Sequence, residues 1–244
     1  MLIAGVFAGA HVMILVASKD LGSAVIFFVV YICMVFVATG NPLYLIAGMA
    51  GGAAASVPAY HIFAHVQVRV QAWRDPWSTI DSTGYQITQS LFGISSGGWF
   101  GLGIFGGTPT SIPYVEDDFI FSAIAEELGI VFAVCLVLVC VSIFLMFMYQ
   151  AYRIRDVFYR LIAFGFGVTY IFQVFLTVGG GCKFIPLTGV TLPLVSYGGS
   201  SVLTTIMMFM IFEGLCMLQT EEQNAAIMRR KRRRRESRDG YEEI

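Results

Sequence analysis

Six long blocks that are almost free of charge decide what this chain can be: residues 2–17, 21–39, 43–64, 128–149, 161–178 and 200–218. Most approach the ~17–25 consecutive apolar residues that a membrane-crossing helix requires. The whole chain is 57% hydrophobic and 13% charged, against about 45–50% and 25% for soluble domains. A body this apolar has too little polar surface to cover itself in water, so a water-soluble globule is excluded. The expected fold class is all-α, a polytopic transmembrane helix bundle. It occupies residues 1–219 as one transmembrane domain, with residues 220–244 as a basic tail. The net charge of −1 conceals an asymmetry, because eight of the fifteen Lys and Arg residues lie between Arg229 and Arg238. Such a tail reads as disordered, cytoplasmic and attracted to anionic lipid by ~1 kcal/mol per charge. Nucleic acid is not an expected partner.

Between the third and fourth blocks runs a polar, glycine-rich stretch, residues 84–107, and whether it crosses the membrane sets the topology. If it crosses, seven spans place fourteen of the fifteen basic residues on one side, with Lys183 alone opposite. Without that crossing the division is eleven against four. Since short cytoplasmic loops carry the Lys/Arg excess, seven spans are expected, with the N-terminus outside and the C-terminus in the cytoplasm. A polar helix at membrane depth must be sheltered or line water, which makes residues 84–107 a cavity wall. The first block rises only about 24 Å, short of a ~30 Å core, as though the chain were truncated at its start.

Five of the sixteen acids fall between Glu116 and Glu127, where the fourth block enters the membrane. Capping of a helix start is one reading, for Asp117 above all. The other is chemical. Adjacent acids repel, and Phe119-Ile-Phe121 holds Asp118 against low dielectric; both effects raise a carboxylate pKa towards the range of a general base. Asp118 is therefore the candidate catalytic base, and Glu126, about two turns on, is a membrane-depth acid expected to be functional.

A second constellation runs from Cys182 to Ser201. Its prolines and glycines fix an irregular loop that opens a helix at Gly198-Gly-Ser-Ser201, where free N–H groups bind anions. Lys183 adds a point charge for phosphate. The bland alternative is a serine cap with close packing through glycine. His11, His61 and His65 read as packed or interfacial side chains, the five cysteines as packing residues, and Lys19–Asp20 and Arg69–Asp75 as structural clamps.

Pro186-Leu-Thr-Gly-Val-Thr-Leu-Pro-Leu-Val-Ser-Tyr-Gly-Gly-Ser-Ser201 closely resembles the signature of the SEDS family, the RodA, FtsW and SpoVE type proteins. Asp20-Leu-Gly22, Arg69 through Asp75-Pro76, Tyr85-Gln-Ile-Thr-Gln-Ser90, Ser96-Gly-Gly98, Ile112-Pro113, Asp118-Phe-Ile-Phe121 and Glu126-Glu-Leu-Gly129 match in order, covering residues 12–220. Lys19 stands where the family has Pro, and Asp117 where it usually has Thr. The resemblance implies the last seven spans of a ten-span fold with a large extracytoplasmic loop. The implied protein is a peptidoglycan glycosyltransferase of the bacterial plasma membrane, polymerising lipid II in division, elongation or sporulation beside a class B penicillin-binding protein. It implies Asp118 as the essential outer-loop carboxylate and a divalent cation, Mg or Mn, as a helper of pyrophosphate departure. Lys183, Ser196, Tyr197, Gly198, Gly199, Ser200, Ser201 and Glu126 are the candidate substrate-binding residues. Two other classes fit a bundle of this kind: a carrier of a polyprenyl-linked substrate that breaks no bond, and an inactive scaffold that recruits partners.

Overall fold

The computed structural model describes residues 2–242, all of whose regular structure is helical: α1 (Leu2–Ala17), α2 (Leu21–Thr39), α3 (Leu43–Ile62), α4 (Ala64–Arg74), α5 (Tyr85–Gly97), α6 (Ile120–Arg153), α7 (Val157–Gly181) and α8 (Gly199–Glu242), with a 3₁₀ turn at Pro109–Ser111. Helix starts follow local chemistry. Asp20 caps α2 by accepting from the Ser23 N–H at 3.1 Å, and Asp156 caps α7 through Phe158 and Tyr159. Asp20 thus serves as a cap rather than as one half of a clamp with Lys19.

α7 is the hub. Its glycines let neighbours approach closely: Gly165 faces Met34 of α2, and Gly167 faces Phe147 and Met148 of α6. Phe147, Ala163, Phe212 and Leu215 form one buried cluster, and Cys140, Tyr170, Val174 and Leu192 another. Elsewhere the bundle is apolar outward. Phe7, Met13, Leu138, Leu145 and Met210 are all more than half exposed, the pattern of a surface solvated by lipid. All five cysteines are free.

Among the described residues five helices are long and apolar enough to cross a membrane: α2, α3, α6, α7 and the Gly199–Glu221 part of α8; Gly5–Ala17 is a shorter apolar helix. The expected crossing by residues 84–107 is absent. α5 has thirteen residues, a rise of about 20 Å, and both its ends lie at the end of the bundle where Asp118 sits. Ser90 Oγ donates to the Gly181 carbonyl at 2.8 Å. Arg69 Nη1 donates to the Thr188 carbonyl at 2.9 Å, and Trp73 Nε1 to the Lys183 carbonyl at 3.1 Å. At the opposite end Gln219 reaches the Arg153 carbonyl. α1 and α2 run antiparallel, pairing Gly5 with Tyr31 and His11 with Phe27, so residue 2 lies at the Gln219 end, not at the Asp118 end. Charge counting failed because it treated residues 84–107 as a span or a loop. Residues 85–97 form a short helix sheltered between α6 and α7, with Thr88 and Ser90 fully buried, and residues 98–107 return as a loop. The cavity-wall expectation for this stretch holds.

This correction is open to labelling. With the native cysteines replaced, cysteines placed at Ser78 and Ser200, both exposed, are expected to react with an impermeant maleimide from one side of the membrane. One placed at Arg155 should react only from the other side. Seven spans would pair Ser78 with Arg155 instead.

The tail expected to be disordered continues α8 to Glu242. Residues 221–239 hold neither Gly nor Pro and are rich in Glu, Gln, Ala, Met, Arg and Lys, all good helix formers. α6 also departs from regularity: Gly129 has φ 84 and ψ 167. From Gly129 to Tyr149 is about 30 Å at 1.5 Å per residue, one hydrocarbon thickness. Tyr149 and Tyr152 are exposed beside Arg153, so the break at Gly129 lies at the opposite membrane interface.

Candidate active site

The acidic loop is built by its backbone. Tyr114 adopts a left-handed φ of 59, and its carbonyl accepts the N–H groups of Asp117 and Asp118 at 3.1 and 3.2 Å. The Pro186–Ser201 segment then holds this turn. Buried Ser196 accepts from the Leu192 N–H at 2.8 Å and donates to the Asp117 carbonyl at 2.5 Å, while the Tyr197 N–H donates to the Glu116 carbonyl at 2.8 Å. Thr177 of α7 ties down the Val190 carbonyl at 2.7 Å. The N-cap of α6 is Phe119, which makes no side-chain cap, so neither Asp117 nor Asp118 is used in capping.

Asp118 is thereby left to line a cavity of about 550 Å³ together with His65, Arg69, Gln86, Tyr114 and Leu187. A β-carbon added at Gly189 (φ 76) would lie 3.5 Å from Arg69 Nη2 and 3.6 Å from Asp118 Oδ2, so the guanidinium and the carboxylate converge over that glycine. Burial raises the Asp118 pKa above the ordinary carboxylate value, the Asp117 charge raises it further, and Arg69 opposes both. The direction follows from desolvation and like charge outweighing one cation.

A second, smaller cavity of about 290 Å³ adjoins the C-terminal half of α5. Glu126, 5% exposed, contributes one wall, with Oε1 accepting from the Thr108 N–H at 2.8 Å. The break in α6 lies just beyond. There the Glu126 and Glu127 carbonyls accept from Leu102 and Gly103, and the Ile130 and Val131 N–H groups donate to the Gly98 and Trp99 carbonyls. Loop 98–107 thus satisfies the backbone groups that the interrupted helix releases, as a site at the edge of hydrocarbon requires.

The expected site residues are distributed over four places. Asp118 and Glu126 line different cavities. Ser196 is a pin between two backbone segments, and Tyr197 contributes its N–H while its side chain is 77% exposed. Gly198, Gly199, Ser200 and Ser201 open α8, and Ser201 Oγ accepts from Thr191. Lys183, at a left-handed φ of 58, gives its carbonyl to Trp73 and does not line the Asp118 cavity. Arg69 and His65 are the residues that sequence reasoning passed over. Arg69 turns to the Thr188 carbonyl and towards Asp118 rather than clamping Asp75, whose carboxylate accepts from the Ser78 N–H at 3.3 Å. His65 Nε2 is buried without a partner. Their four-residue spacing on the polar face of α4, one face of a helix, was the available signal.

The donor set does not fit a protein-built metal centre. Among the described residues no group of three or more His, Cys, Asp and Glu side chains could hold an ion, and the charge beside Asp118 is already a guanidinium.

The family model for FtsW, RodA and SpoVE, described as cell cycle protein, matches residues 1–221. The chain belongs to the FtsW/RodA/SpoVE family. It is 40% identical over 198 residues to peptidoglycan glycosyltransferase RodA of Mycobacterium tuberculosis, covering 81% of this chain and 42% of that protein. It is 37% identical to the probable peptidoglycan glycosyltransferase FtsW of Aliivibrio salmonicida, covering 78% and 48%. A solved chain described under "Structural coordination of polymerization and crosslinking by a peptidoglycan synthase complex" superposes with a TM-score of 0.73 at 26% identity, over 89% of this chain and 60% of that one. The chain thus spans about half the length of the curated FtsW and RodA relatives it matches. The SEDS resemblance drawn from the Pro186–Ser201 signature is the same family, and the structure gives that signature a task in this member: it clamps the loop that carries Asp118.

Proposed function

We propose that this chain is the glycosyl-transferring portion of a peptidoglycan polymerase that uses lipid II on the outer face of a bacterial plasma membrane. The observation that carries the reading is one half-buried carboxylate with a raised pKa, facing a cavity that it shares with a guanidinium, in a family whose relatives are named peptidoglycan glycosyltransferases. Asp118 takes the proton from the acceptor sugar hydroxyl as its oxygen bonds to the anomeric carbon of the donor. The bond from that carbon to the pyrophosphate oxygen breaks, and its electron pair leaves with the polyprenyl pyrophosphate. Arg69 offsets the charge that develops there. No step requires a cation held by this chain, and a divalent cation would have to take its remaining ligands from the pyrophosphate itself.

Orientation follows from charge. Eleven of the fifteen Lys and Arg residues lie at the tail end, against Lys19, Arg69, Arg74 and Lys183 at the Asp118 end, which supports a cytoplasmic tail with Asp118 outside. A class B penicillin-binding protein is the proposed partner, supported by the likeness to a chain from a peptidoglycan synthase complex.

The test is polymer formation from labelled lipid II by the full-length protein in proteoliposomes, followed against pH. Activity should rise as Asp118 loses its proton, with the acid limb above the ordinary carboxylate range. Asp117→Asn removes a charge that raises the Asp118 pKa, so the limb should move to lower pH. Absence of polymer from the wild type overturns the reading; an unmoved limb assigns it to another group.

A further inference from the structure

The smaller cavity beside Glu126 has a chemistry of its own. Glu126 is 95% removed from solvent, as its 5% exposure shows, yet among the described residues only Oε1 is bonded. Oε2 lies above Gly93, 3.1 Å from where a β-carbon would stand, and a β-carbon at Gly107 would come within 2.6 Å of Oε1. Two glycines therefore leave the space that this carboxylate fills. Around it, the Gln89 amide and the Thr108 and Ser111 hydroxyls line the cavity and make no side-chain hydrogen bond among the described residues. Phe92, also in the lining, is 47% exposed.

The Ser96 hydroxyl beside them donates to the Gly93 carbonyl. An acid, an amide and two unbonded hydroxyls, those of Thr108 and Ser111, with one aromatic ring suit a neutral ligand dense in hydroxyl groups. The carboxylate repels phosphate, and the lining holds no cation to offset it. An ammonium ligand would leave the amide and hydroxyl donors unmatched. Depth agrees: Glu126 lies one turn before Gly129, at the interface, where the first sugars of a lipid-linked saccharide must sit. We propose that this cavity is a second subsite, separate from the Asp118 cavity, which holds one pyranose ring of a saccharide, either lipid-borne or part of the growing chain. The Glu126 carboxylate accepts from a sugar hydroxyl, and Phe92 lies against the ring face. The inference rests on the transferase reading for its ligand.

The test uses the full-length protein in proteoliposomes with Glu126→Gln, whose side-chain carbonyl can still accept from Thr108, and Gln89→Leu, which removes a group bonded to nothing in the protein. Each is expected to raise the KM for lipid II roughly tenfold while leaving kcat within about twofold, as loss of a hydrogen bond to bound substrate does. A benzophenone amino acid at Phe92 should crosslink to saccharide; crosslinks to labelled lipid II or to preformed glycan distinguish the two sources. Unchanged KM in both variants, with the wild type polymerising, overturns the subsite, as does a KM effect that vanishes once the peptide amine of lipid II is acetylated. If the wild type makes no polymer the transferase reading fails, and the Phe92 crosslink still decides whether saccharide binds here. Should Glu126→Gln not accumulate, Gln89→Leu and the crosslink carry the result.

Discussion

Asp118→Asn is expected to reduce glycan polymerisation by roughly 10²–10⁴-fold, the range that a positioned general base supplies, with little change in the KM for lipid II. The substitution is nearly isosteric. The loop around it is held by the Tyr114, Asp117 and Glu116 carbonyls together with Ser196 and the Tyr197 N–H, none of which involves the Asp118 side chain. Fold should therefore survive, and the sign of any stability change is fixed by linkage. Asp118 has a folded pKa above its unfolded one, so its contribution to stability is complete below the unfolded pKa and is lost as pH rises through the folded pKa. At neutral pH the Asn protein lacks that unfavourable ionisation, and its melting temperature should equal or slightly exceed the wild type's. Polymer yield in proteoliposomes and a thermal scan in the same detergent check both halves. Undiminished polymer would remove Asp118 from the mechanism, whereas a collapsed melting temperature would show that the loss of activity is structural.

The long apolar helices were legible from block length alone, because nothing but helix satisfies the backbone of an unbroken apolar run in lipid. Asp118 was legible because a sequence neighbour, Asp117, is also among the charges that act on it in space. Arg69 was not. Its role depends on residues 119 positions away, at the Thr188 carbonyl, and a local reading offered it only Asp75. Ser196 shows the converse. Its place in a recognisable signature suggested substrate binding, yet it is buried and bonds the backbone on both sides, so it acts on chemistry by holding the Asp117 carbonyl. The topology error has the same origin. Charge counting admits crossings and loops, and α5 is neither: its polar side chains, Thr88 and Ser90, are satisfied by the Gly84 and Gly181 carbonyls, inside a fold that no window of sequence contains.

The second large effect concerns Gly129, which separates the acid-bearing start of α6 from the spanning remainder. Its φ of 84 and ψ of 167 lie in a region that is essentially closed to residues with a β-carbon, a cost of about 1–3 kcal/mol. Sterics add to this, since a β-carbon there would come within 2.4 Å of the Gly101 nitrogen and 2.5 Å of the Trp99 carbonyl oxygen. Those are backbone atoms, which no rotamer change can move aside. Gly101 mirrors the arrangement, its own β-carbon position lying 2.2 Å from the Glu127 carbonyl oxygen at a φ of 80. The two segments therefore interlock through paired glycines, and four interrupted-helix backbone groups depend on the contact. Gly129→Ala should accordingly lower stability by roughly 3 kcal/mol or more. Relief of the strain by straightening α6 would detach loop 98–107 from it. That loop supplies Leu102, Gly106 and Gly107 to the Glu126 cavity, so polymerisation should fall together with hydrogen-exchange protection at Leu102, Gly103, Ile130 and Val131. The Asp118 turn, held independently by Ser196, should keep its protection. A Gly129→Ala protein with unaltered exchange at those four amides would show that α6 crosses this point without the break.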